Sequence, residues 1–423
     1  MLKRTAISVL AVLFAALPAA AQSPGDTLRE ALYAGQFAEG RAELAPLAEA
    51  GDPEAAFGVG FIDIAVAIER FSQSMYRHGL AAPDPGALAA MLLDVDGLHG
   101  VEGNRDAEPL SYEGLREILA TLVDDLDAAR TALAVAGESG DYVVALDVMR
   151  ITLDVDGDPT TPGETIGRLM AGNFGVDPAD LAAPGKTKPG ADTVSPTLVG
   201  FDRADALWLQ GYAHIAAVQA DFLLAHDFSE MFQATMHRVF PHAGLPMQPY
   251  SRGGTLMIDA ESDAAIADAI AFIHTFNFPI VERERFAGVP ERLKAITTLS
   301  RANWQAILAE TDDDRELVPS PDQTSIVPGL EVTEEVVAAW HETLDSVDRV
   351  LAGELLIPHW RFAQGFDLTA YFAGAERTDL VMLLTGYDAL PFLAEGPIAS
   401  AGDFRNGIEV FGADFPLFAI WFN

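Results

Sequence analysis

The sequence predicts a mainly α-helical, exported protein, and three observations carry that expectation. Apolar residues recur every three or four positions through most of the chain, cap and Pro–Gly signals punctuate those runs, and the chain opens like a leader. The predicted organisation is a signal peptide over 1–21, an acidic helical subdomain over 22–183, a linker over 184–196 and a larger apolar helical domain over 197–423.

The leader has three parts. Lys3 and Arg4 form a basic start, Ala6 to Leu17 an apolar run, and Ala19-Ala20-Ala21 a small-residue cleavage site before Gln22. The apolar run falls short of the ~20 residues that a spanning helix takes. Cleavage after Ala21 is therefore expected, with a periplasmic or secreted destination and no membrane span in the mature chain. The chain has no cysteine, which rules out disulfides, thiolate ligands and lipid attachment through sulfur. A chain this long buries enough apolar surface to fold without staples.

Formal net charge is −37, from 26 basic and 63 acidic side chains. Such a field repels phosphate backbones, so nucleic acid is not an expected partner. Hydrophobic residues make up 50% and charged residues 21% of the chain, a globular balance rather than a disordered one.

Along the mature chain, Leu28, Leu32, Phe37, Leu44 and Leu47 recur at near-helical spacing. Gly51-Asp52-Pro53 then restarts a helix, with Pro53 at its first turn. The stretch "LAEAGDPEAAFGVG" resembles one unit of the tetratricopeptide and Sel1 helical repeat families, which span about 35 residues per copy. No second copy follows, so the resemblance implies a helix pair and a partner-binding surface. Tyr112 to Ala136 reads as an amphipathic helix with Leu115, Ile118, Leu122 and Leu126 on one face.

Two acidic loops flank that helix. "LLDVDG" at Leu92–Gly97 recurs as "TLDVDG" at Thr152–Gly157, each following an apolar segment expected to be helical, the second being Tyr142 to Leu153. The run Pro184 to Pro196 is the expected linker. Beyond it, helices are expected over Ala204–Val239 with a fresh cap at Asp227, then over Ser262–Phe276, Pro290–Glu310 and Thr333–Gly353. "ETDDDRE", from Glu310 to Glu316, reads as a solvated loop. Trp208, Trp304, Trp340 and Trp360 read as packing residues, and the apolar end carrying Phe415, Phe418, Trp421 and Phe422 as part of the core.

Candidate sites are few. Calcium takes six to eight oxygens, which alternating Asp side chains in a loop supply. Asp154, Asp156 and Asp158 alternate in that way and Glu164 closes the loop, so calcium is the ion to expect here. The loop departs from the EF-hand pattern, with Gly157 fourth instead of sixth, Pro159 sixth and Glu164 eleventh instead of twelfth. The first copy offers only Asp94 and Asp96. The competing reading makes these turns whose Asp side chains bond their own backbone.

Four of nine histidines lie between His214 and His242. His226, Glu230 and His237 share a helix face suited to a transition metal, although His226 and His237 lie roughly 16 Å apart along a continuous helix. A site at His226 and Glu230 would need a third ligand from elsewhere. One stretch earlier, Gln210, His214 and Asp221 form a polar stripe on an apolar helix, either lining a ligand pocket or satisfying a neighbouring helix. "HETLD" at His341–Asp345 lacks the second histidine of a zincin, and no nucleophile elbow or phosphate loop occurs. The function expected from the sequence is an exported protein that binds a small molecule or a protein partner. The alternative is a metal-dependent hydrolase built on His214–His242.

Overall fold

Ser23, Asp52 and Ser111 start helices by one device, a side-chain oxygen that accepts a first-turn backbone N–H. The elements are α1 (Pro24–Ala34), α2 (Phe37–Glu49), α3 (Pro53–Arg77) and α4 (Tyr112–Glu138). In this computed structural model the described residues are 22–80, 104–158, 160, 163–169, 195, 197–250, 265–313, 315–326 and 332–411. The leader, the first acidic loop with Asp94 and Asp96, and the apolar end after 411 lie outside them. So does most of the expected linker.

The fold is mainly α, as the periodicity predicts. Leu28 and Leu32 of α1, Leu44 of α2 and Phe57 and Ile62 of α3 are fully buried together. From α3 onward the long helices pack in succession: α3 on α4, α4 on α5 (Arg203–Leu224), α5 on α8 (Arg283–Ile307), and α8 on α9 (Glu334–Leu351). Between α5 and α8 lie the shorter α6 (Ser229–Thr235) and α7 (Ala265–Thr275). The expected break near Asp227 is present, with its Oδ1 accepting the Ser229 N–H at 2.9 Å in a turn, but the residue that precedes α6 is Phe228 and no side chain caps that helix.

The short strands went unforeseen. The Tyr142–Leu153 segment, expected to be helical, holds β1 (Val144–Asp147) and β2 (Thr152–Leu153) instead. Tyr142, Val144 and Leu146 are buried while Val143 is exposed, the two-residue alternation of a strand. β1 pairs antiparallel with β4 (Leu198–Phe201), and β2 with β3 (Glu164–Thr165). Ribbon β1–β4 and the α4–α5 interface join elements from either side of 184–196. In the last third, β5 (Asn277–Pro279) pairs with β8 (Arg377–Asp379). A second small sheet joins β6 (Ile357–Pro358), β7 (Gly365–Phe366) and β9 (Leu393–Ala394). The helices α10 (Leu368–Gly374), α11 (Leu380–Thr385) and α12 (Arg405–Phe411) complete the described chain.

Three further expectations are corrected. Helix α8 starts at Arg283, ahead of Pro290, because burying Phe286 and Val289 holds its first turns in place. That packing offsets the one backbone bond the proline removes. Trp360 is 74% exposed; its Nε1 donates to the Leu384 carbonyl at 2.7 Å, and the Arg361 guanidinium lies over the ring. The "ETDDDRE" loop keeps Thr311, Asp312 and Asp313 exposed as expected, but its end is drawn inward, with Glu316 only 7% exposed and its carbonyl accepting the Ile326 N–H at 3.0 Å. Among the described residues, no helix is long and apolar enough to cross a membrane.

Candidate ligand cavity between the central helices

Arg285 and Arg292 stand seven residues apart on α8, two turns, and so share one face of that helix. The facing side of α5 presents Asp221, whose carboxylate is buried between them. Arg285 Nη1 meets Oδ1, and Arg292 Nε meets Oδ2 at 2.5 Å. Arg292 also forks onto α4, with Nη1 and Nη2 at 2.8 and 2.7 Å from the two oxygens of Asp127. Such planar two-point pairing is what guanidinium geometry provides. The Asp127 bond holds the Arg292 guanidinium above its ordinary pKa, against the opposing effect of burial. Burial works to raise the Asp127 carboxyl, but Arg292 and Arg130 override it and hold it low.

A second layer extends the clamp. Glu282 accepts Arg285 Nε at 2.8 Å on one oxygen and Arg116 Nη2 at 2.5 Å on the other. Arg116 in turn donates to the Leu224 and His226 carbonyls at 2.7 and 2.8 Å, tying α4 to the end of α5. Against this clamp lies a broad cleft, open to solvent, of about 630 Å³ lined by Asp221, Glu282, Arg283, Glu284, Arg285, Gly288 and Arg292. That volume lies within the range of small-molecule sites, ~300–1,000 Å³.

The polar stripe Gln210–His214–Asp221 divides into three environments. Gln210 Nε2 donates to the Leu133 carbonyl of α4 at 3.1 Å and to the Ala206 carbonyl of its own helix at 3.3 Å. His214 is buried, and its Nδ1 has no partner among the described residues. Burial, reinforced by Arg130 and Arg292, drives its pKa down to about 4, so the ring is neutral. Only Asp221 lines the cavity.

His226 is fully buried and spends both ring nitrogens internally. Nδ1 lies 2.6 Å from the Phe222 carbonyl and must donate to it, which leaves Nε2 to accept from Thr378 Oγ1 at 2.7 Å. The Tyr371 hydroxyl completes the chain at 2.5 Å from Thr378 Oγ1. Burial lowers the His226 pKa, in keeping with a neutral ring. Glu230 sits exposed in the first turn of α6, and His237 faces Asp268 at 3.4 Å.

The second acidic loop is a string of side-chain turns. Asp154 Oδ1 accepts the Gly157 N–H at 2.8 Å, Asp156 Oδ1 the Asp158 N–H at 2.9 Å, and Asp158 Oδ1 the Thr160 N–H at 2.8 Å. Gly157 has φ 70, the left-handed turn position that glycine takes without strain. The loop docks on α3 through Glu69, which accepts the Asp154 N–H at 2.6 Å, and Gln73, which donates to the Asp154 carbonyl at 2.8 Å. Glu164 is in β3 and pairs with Arg168 at 3.3 Å. No group of three or more His, Asp or Glu side chains among the described residues is arranged to hold a metal ion.

A carboxyl cluster at the start of α5 escaped the sequence reading. Asp202 and Asp205 form a capping box, in which Asp202 Oδ1 accepts the Ala204 N–H at 2.6 Å and Asp205 Oδ2 accepts the Asp202 N–H at 2.9 Å. Glu310, just past α8, hydrogen-bonds Asp202 and accepts Gln323 Nε2 at 3.0 Å. Burial, then the nearby Asp202 carboxyl, pushes the Glu310 pKa up to about 8. Burial and Asp202 likewise hold Asp205 well above the usual carboxylate range.

Compared with protein-family models, curated proteins and solved structures, the chain matches none.

Proposed function

We propose that the mature chain is an exported, non-enzymatic binding protein of the bacterial periplasm that takes a small polar ligand in the cavity beside Asp221. One observation carries this reading: the guanidinium clamp is built before any ligand arrives. Asp221 and Glu282 fix Arg285 and Arg292, and the fixed groups line a cavity of ligand size. The clamp holds Arg285 in place with its Nη2 uncommitted, and a group fixed in advance spares a ligand the cost of ordering it on binding. The basic, apolar and small-residue sequence ahead of Gln22 supports export. Metal-assisted hydrolysis finds no comparable support, since both His226 nitrogens are committed within the protein.

The test is a thermal-shift panel of amino acids, small carboxylates, amines, inorganic phosphate and sugars. It is run on the wild-type mature chain and on Gly288→Leu, which places a side chain in the cavity wall where a Cβ meets nothing within 4 Å. A compound that raises the melting temperature of the wild type and not of Gly288→Leu supports the reading. A panel that shifts neither protein refutes it.

A further inference from the structure

We infer that the cavity recognises a zwitterion, the paired carboxylate and ammonium of an α-amino acid; this inference rests on the binding function proposed above. The argument follows from which lining groups are already spent. Asp221 gives one oxygen to Arg285 and the other to Arg292. Glu282 gives its two oxygens to Arg116 and Arg285. Arg292 uses Nε on Asp221 and both terminal nitrogens on Asp127. These groups are scaffold.

What remains is a small, mixed set. Arg283 commits only Nη1, to the Ala375 carbonyl, so its Nε and Nη2 stay available. Arg285 retains Nη2 after its bonds to Glu282 and Asp221. Helix α8 begins at this point with no side chain capping its first turn, so its leading N–H groups add donors and partial positive charge. Against these donors stands one lining carboxylate without a partner among the described residues, that of Glu284.

Donors and acceptor together match a ligand carrying both charges. A bare dianion such as phosphate meets the guanidinium edges but also the Glu284 carboxylate, in a chain of net charge −37. A lone amine meets Glu284 but faces Arg283 and Arg285. A zwitterion sets its carboxylate on the guanidinium edges and its ammonium on Glu284. Its side chain then runs over Gly288, where the wall has no side chain and the space is open.

Isothermal titration calorimetry with three probes separates these cases: L-leucine, 4-methylpentanoate as its carboxylate fragment, and isoamylamine as its ammonium fragment. Each is titrated into wild type, Arg283→Ala, Glu284→Gln and Gly288→Leu. Arg283 and Glu284 are exposed, so these variants keep the fold, which circular dichroism checks. The expected result is saturable leucine binding, weakened at least tenfold by both Arg283→Ala and Glu284→Gln, with each fragment binding at least tenfold more weakly than leucine. 4-Methylpentanoate binding as tightly as leucine and indifferent to Glu284→Gln overturns the zwitterion while leaving a ligand cavity in place. No heat from leucine or any other amino acid also overturns it. The thermal-shift panel with phosphate, sugars and carboxylates then decides the binding function separately.

Discussion

The carboxyl cluster at the head of α5 contributes stability that is lost as pH rises from acid toward mild alkali. Glu310 titrates near 4.5 when unperturbed and at about 8 in the fold. A group whose folded value is raised contributes its stability fully below the unfolded value and loses it as pH climbs through the folded value. The window is therefore about 4.5 to about 8. Each tenfold in the proton equilibrium is worth about 1.4 kcal/mol, so the full rise corresponds to roughly 5 kcal/mol. Glu310 keeps part of its surface in solvent, and screening there reduces the usable effect to on the order of 2 kcal/mol.

Glu310→Gln removes the titration while its amide still donates to Asp202. Urea denaturation of the chain from Gln22 onward, between pH 5.5 and 9, is the assay. That range avoids the acid limb where Asp127, held low by Arg292 and Arg130 against burial, loses its ion pairs. Asp205, held high like Glu310, and His214 and His226, held low by burial, titrate in both proteins, so the difference is what reads Glu310: the advantage of wild type over the variant is expected to shrink by about 1.4 kcal/mol between pH 5.5 and 9. A stability difference between wild type and Glu310→Gln that stays constant across the range refutes the reasoning.

Other perturbations read other parts of the molecule. Asp221→Ala takes one carboxylate from two guanidiniums that keep Glu282 and Asp127, and a loss of about 2 kcal/mol is expected by urea denaturation, less than for a buried charge left without any partner; a loss under about 0.5 kcal/mol contradicts the clamp. Tyr371→Phe removes the end of the His226–Thr378 chain and costs about 1 kcal/mol, and zinc chelators leave the melting temperature of wild type unchanged. Calcium titration by calorimetry is expected to return only weak, salt-screened heat, the same in the triple change Asp154→Asn, Asp156→Asn, Asp158→Asn. Asparagine Oδ1 accepts the same turn N–H bonds, so the triple variant also keeps its stability; a saturable site lost in that variant overturns the turn reading.

Helices were legible wherever caps and periodicity agreed. Ser111 with the apolar stripe of Tyr112–Glu138 is one case, and Thr333, whose side chain accepts the Val336 N–H, is another. The strands escaped because pairs of two to four residues are too short to show a period, and Val144–Asp147 becomes a strand only by meeting Leu198–Phe201 from far along the chain. Pro290 misled because a proline usually opens a helix, whereas here burial of Phe286 and Val289 extends the helix ahead of it.

Asp221 was found in the sequence as part of a polar stripe. Its partners were not, since Arg285 and Arg292 lie more than sixty residues away, at sequence separations of 64 and 71. The available signal was the two-turn spacing of arginines in "RERFAGVPER", within a chain holding only 26 basic residues. The carboxyl cluster was hidden for the same reason. Asp202 reads locally as a helix cap, and only the fold brings Glu310 against it.

The most direct test of the central claim is the melting temperature of the chain from Gln22 onward, as wild type and as Gly288→Leu, with and without L-leucine at millimolar concentration. The account predicts that leucine raises the wild-type value and leaves that of Gly288→Leu unchanged. An equal rise in both proteins places the ligand elsewhere and contradicts the account.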